Sequence, residues 1–126
     1  MLVHRTEPHF EDTPIFLMSR FLADDGELAQ QADVVTITAS AYDSGGTQIG
    51  MDVSVSVATS VFDALVDDDP RWGRRDSIGY NFGHLAPGSF FPAGGAVNTV
   101  EYEIVLVSGN LIVVAFDVPV IERRSG

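Results

Sequence analysis

Apolar and polar residues alternate with a period of two along most of this chain, and no other feature restricts its fold as much. Successive side chains of a strand point to opposite faces, so each alternating run predicts a strand with one buried side. In residues 99–107 the predicted inner face is Val100, Tyr102, Ile104 and Leu106. Residues 33–42 turn Val35, Ile37, Ala39 and Ala41 inward, with Thr36, Thr38 and Ser40 outward, the pattern of a sheet wet on one side. Residues 47–57 set Val53, Val55 and Val57 against Ser54 and Ser56. Residues 13–22 place Ile15, Leu17 and Phe21 on one face and Phe16, Met18 and Leu22 on the other. Apolar on both sides, that strand belongs at the centre of a sheet or under the N-terminal segment. Residues 77–82 align Ile78, Tyr80 and Phe82, and residues 111–121 supply the last strand, which Pro119 predicts to end on a sheet edge.

Turn chemistry separates these runs at Ala23-Asp24-Asp25-Gly26, at Asp43-Ser44-Gly45-Gly46 and at Ser108-Gly109-Asn110. Residues 83–98 read as a Gly- and Pro-rich loop carrying Phe90 and Phe91. The period changes once, at Thr59. There Val61, Phe62 and Leu65 take a helical spacing, Thr59 or Ser60 offers a cap, and Pro70 closes the run. The expectation is an all-β, antiparallel sandwich of six to seven strands with one short helix over residues 59–67. Residues 1–12 would form an extended arm, 13–121 the sandwich domain and 122–126 a tail.

A chain of 126 residues is one domain, and its 45% hydrophobic content suffices for a core. The net charge of −11 lacks the basic face that nucleic acid requires. No apolar run approaches the roughly 18 residues of a membrane span, and residues 1–14 lack the apolar centre of a signal peptide. With no Cys there is no disulfide and no thiolate ligand. All basic residues are Arg, a usage that either a GC-rich genome or a saline setting accounts for.

Residues 61–83 hold the sole Trp and most of the candidate site residues. Arg71, Arg74 and Arg75 follow three aspartates and either pair with them or meet an acidic partner. Trp72 and Tyr80 are core anchors or contact residues. Phe90 and Phe91 either tuck under the sandwich or insert into a neighbour, and His4 and Phe10 would contact a neighbour from the arm. Asp67, Asp68, Asp69 and Asp76 offer oxygens to Ca2+, but without the alternating acids and closing Glu of an EF-hand loop they read as a solvated turn. His84 has no nucleophile elbow beside it, and no motif calls for a catalytic residue, cofactor or metal.

At VFDALVDDDPRW and SIGYNF the chain resembles a group of small structural proteins of tailed phages and prophages. Their signature runs V-[VI]-F-D-x-L, an acidic residue, R-W, then D-x-x-G-Y-N-F. The matching positions are Val61, Phe62, Asp63, Leu65, Trp72, Asp76, Gly79, Tyr80, Asn81 and Phe82. Upstream, FLADDGELAQQADVVTITASAYD is also similar, so the resemblance spans roughly residues 14–118. Val66 and the segment GHLAPG stand where members of the group carry a Thr-Gln pair and a longer basic segment. The resemblance implies an immunoglobulin-like sandwich similar to the N-terminal domain of upper-baseplate adaptors. It implies a non-enzymatic virion protein, assembled in the host cytoplasm as a homo-oligomer against capsid, neck or tail subunits. The expectation from another class is a small carbohydrate- or ligand-binding β module.

Overall fold

The alternating segment after Ala96 folds as β8 (Val97–Leu106) and β9 (Leu111–Ile121), an antiparallel hairpin paired from Val97↔Pro119 to Val105↔Leu111. The structure, a computed structural model, describes residues 2–72 and 76–123. The expectations resting on Arg74, Arg75 and residues 124–126 lie outside the described residues. Val100, Tyr102, Ile104 and Leu106 are buried on the inner face beside Val114, Phe116, Val118 and Val120. Each side chain of this size contributes roughly 1.5–3 kcal/mol by leaving water.

β4 (Val34–Tyr42) pairs with β8 on one side and with β5 (Gln48–Val55) on the other, both antiparallel. Ile37, Ala39 and Ala41 face the core as predicted, but Val35 is exposed and Val34 is buried instead. Between Val34↔Leu106 and Thr36↔Val105, β4 advances two residues while β8 advances one. This bulge throws Val35 out to solvent. The Asp43-Ser44-Gly45-Gly46 turn joins β4 to β5, with the Asp43 carboxylate accepting the amides of Gly45 and Thr47.

Strands among the described residues number nine rather than six to seven, in two sheets facing each other across one core. The other five are β1 (Leu2–Arg5), β2 (His9–Phe10), β3 (Ile15–Ser19), β6 (Val61–Val66) and β7 (Tyr80–Ala86). The larger sheet runs β1-β9-β8-β4-β5, with β2 also on β9, and the smaller runs β3-β7-β6. The N-terminal segment therefore lies on its own chain, parallel to β9, with Leu2 opposite Val114 and Phe10 opposite Ile121. Pro119 is correspondingly not on a free edge. Val120 donates to Ala96, so the neighbouring ring nitrogen of Pro119 faces the interruption between β1 and β2, where no ladder donor is needed.

β3 lies at the edge of the smaller sheet rather than at a centre. It is apolar on both faces because that sheet is covered on both sides, with Leu17 in the main core and Met18 in a second cluster. The same layering explains why the helix expected over residues 59–67 is one turn, α1 (Val57–Ser60), followed by strand. Val61 enters the main core while Phe62 packs on the second cluster, so two adjacent apolar residues need no helix. Between Val61↔Phe82 and Val66↔Tyr80, β6 carries four residues against one on β7. Tyr80 and Phe82, expected on one side, are likewise divided between the two clusters, and Ile78 is exposed. Phe90 and Phe91 are both buried in the main core, which removes them from any surface.

Candidate functional site

The outer face of the smaller sheet is the part of the molecule with the most local design. β3 supplies Phe16 and Met18, β6 supplies Phe62 and Val66, and β7 supplies Tyr80 at the centre. The Tyr80 ring lies 6.1 Å from Phe16, 5.8 Å from Phe62 and 5.5 Å from Trp72, which closes the cluster from the following loop. Gly83 makes this possible, because a Cβ there would sit 2.5 Å from the Phe16 ring. Gly79 turns the chain into β7 at φ +102°, with the Val66 carbonyl where a Cβ would stand.

Two aspartates fasten the loop over the cluster. Asp69 accepts the backbone amide of Arg71 at 2.8 Å, its guanidinium at 2.8–3.2 Å and the Tyr80 hydroxyl at 2.5 Å. The Arg71 guanidinium also lies 3.8 Å over the Phe16 ring, a cation–π contact. Asp76 accepts the Trp72 indole N–H at 3.1 Å, the amides of Ile78 and Gly79 at 3.0 Å and the guanidinium of Arg20 at 3.0 Å. Arg20 donates again to the Gly79 carbonyl, binding the end of β3 to the start of β7.

These partners set the protonation states. The Arg71 guanidinium above all holds the Asp69 carboxyl well below the usual carboxylate range, and Asp69 in return raises Arg71. The Gly79 amide leads the donors that lower Asp76 to about 2. Burial, reinforced by Asp69, pushes the Tyr80 phenol up to about 12. Both aspartates are thus ionised, weakly basic and occupied on both oxygens. Such carboxylates organise a loop and are poor general bases.

Of the described residues singled out in the sequence, Arg71, Trp72 and Tyr80 come together with Asp69 and Asp76, while Phe90 meets Phe91 in the main core. Trp72 is a buried anchor, and Arg71 is exposed on its guanidinium side while bound to Asp69. His4 bonds Ser19 Oγ at 2.8 Å and packs on Phe116, whereas Phe10 lies exposed at the far end of β9. His84 Nδ1 is 2.7 Å from the Tyr102 hydroxyl, and burial lowers the imidazole and raises the phenol. Among the described residues no three His, Asp or Glu side chains converge as a metal site. No helix of the described residues is long and apolar enough to cross a membrane.

Asn81, a position of the resemblance, is framework, and two further framework residues, Gln31 and Glu11, carry no local signal in the sequence. Asn81 satisfies the backbone of Phe21 and Ala29 from inside β7. Gln31 spans to the carbonyls of Ala58 and Val61. Glu11 accepts the amides of Gly94 and Arg123. The Gly-Tyr-Asn-Phe motif already names the first; the other two depend on contacts distant in sequence.

The chain matches no protein-family model, and no curated protein or solved structure matches it.

Proposed function

We propose that this chain is a non-enzymatic structural component of a tailed-phage virion, working through contacts with other copies and with capsid, neck or tail subunits. The observation that supports this best is where the shared motif falls. Val61, Trp72, Tyr80, Asn81 and Phe82 are buried, Asp63 accepts the Gln31 amide, and Asp76 and Gly79 shape the loop. A motif made of framework is what proteins share when they keep an architecture and vary their contacts. The contacts are then left to strand edges and to exposed apolar residues such as Val3, Phe10, Leu85 and Val107.

Quantitative mass spectrometry of particles banded by density from the producing strain tests the reading. The chain is expected in the particle fraction at a fixed copy number relative to the major capsid subunit. Its peptides appearing only in the soluble fraction would contradict a virion role.

The second reading, a carbohydrate-binding module, is favoured by an open depression of about 540 Å3 on the outer face of the larger sheet. Tyr42 lines it together with Asp43, Thr99, Glu101 and Asp117, a ring beside polar oxygens. Glycan-array binding lost in Tyr42→Ala would favour this reading over the first.

A further inference from the structure

The N-terminal segment is fastened unevenly along its length. Residues 9–13 are clamped: His9 Nε2 bonds the Thr13 hydroxyl and carbonyl and meets Phe91 edge-on, while Glu11 holds two amides and Asp12 N–H donates to the Phe91 carbonyl. β1, in contrast, leaves Leu2 40% and Val3 55% exposed. Its ladder ends at the bond from Thr6 N–H to the Asp117 carbonyl, and pairing resumes at His9↔Val120. Glu7 and Pro8 in between are exposed, opposite Pro119, which has no N–H to offer. The segment is therefore a fixed base, a hinge at residues 6–8 and a strand held by its ladder to β9 and by His4, with Leu2 and Val3 exposed.

The seat of that strand is a seam between the two sheets. β1 runs along β9 of the larger sheet, and His4 reaches across to Ser19 on β3 of the smaller. Leu2 fills its share incompletely, lining a mostly apolar groove of about 420 Å3 with Phe21, Leu22 and Ile112 beside Arg20. The chain's own β1 closes this seam, and a second copy carries the same strand.

We propose that β1 is an exchangeable strand: residues 2–5 of one copy close the β9–β3 seam of a second copy of this chain. Three hinge residues span at most roughly 10 Å when extended. The two copies must then lie edge to edge, each β1 crossing to the other's β9, which is a reciprocal two-fold arrangement. Strand exchange stands independently of the virion reading, since it follows from the hinge and the seam.

The absence of cysteine permits a clean test. Val3 and Ala115 are directly opposed across β1 and β9, so V3C/A115C places two thiols at one pairing position. Isotope-labelled and unlabelled double variants are refolded together at high concentration and oxidised. The disulfide-linked peptides that join the two substituted positions are then read by mass spectrometry. Exchange predicts linked peptides of mixed isotope, rising towards half of the total as concentration increases. Linked peptides of single isotope only, at every concentration, would overturn it. R5C/D117C, at another opposed position, repeats the test if a thiol in place of Ala115 prevents folding.

Discussion

Tyr80 brings a hydroxyl into an otherwise apolar cluster and matches it with Asp69, while its ring touches Phe16, Phe62 and Trp72. Tyr80→Phe keeps the ring and removes the donor, so the expected loss is about 1 kcal/mol in urea unfolding. An unchanged midpoint would mean that the hydroxyl bond adds nothing. The aspartates carry a pH signature. Asp76 is lowered from 3.8 to about 2, and Asp69 is lowered as well, so both ionise more readily folded than unfolded. Their contribution is present in full above the unfolded value and is lost as pH falls through about 2. Acid unfolding is expected to begin below about pH 4, and Asp76→Asn should lower neutral stability and flatten that slope; an unaltered acid profile in this variant would refute the assignment. At this scale the sequence offered Trp72 either as an anchor or as a contact, and the structure makes it an anchor. The exchange of Val34 for Val35 was not legible, because a bulge depends on the register of β8, more than sixty positions away.

At the scale of elements, β8 and β9 were readable since each alternates cleanly and a turn joins them. Residues 61–66 were misread as helix for a physical reason. A bulged strand between two apolar layers buries adjacent residues, as Val61 and Phe62 do, and so imitates helical spacing. Phe90 and Phe91 show the opposite ambiguity: two aromatics in a Gly-rich loop give no sign of whether they point in or out. The join between the loop and β7 depends on Gly79. An added Cβ would stand 2.3 Å from the Val66 carbonyl oxygen in a backbone conformation that disfavours side chains. Gly79→Ala is expected to cost about 1–3 kcal/mol and to loosen the cluster, measurable as a lower melting temperature with Trp72 unfolding first. A melting temperature equal to the parent's would show that the turn tolerates a side chain.

For the whole molecule, a β-sandwich was legible from the alternating runs and turn spacing, but the strand number was not. The extra strands include β1 and β2, whose partner β9 lies over a hundred residues away and in parallel, beyond any local pattern. The candidate site was half legible: Arg71, Trp72 and Tyr80 do meet, and Arg71 pairs with Asp69 as one of the two readings had it, while the bonds of Asp69 to Tyr80 and of Asp76 to Trp72 had no local signal. The distinctive aromatic residues of this molecule hold its own loop, and the proposed contacts fall to strand edges and the N-terminal strand. Trp72 is the sole Trp, so its fluorescence reports on this directly. A buried Trp72 is expected to give a blue-shifted emission, shielded from acrylamide, in the isolated protein and unchanged in the proposed assembly. A red-shifted, readily quenched Trp72 that becomes shielded only on assembly would make the aromatic loop a contact surface and contradict it.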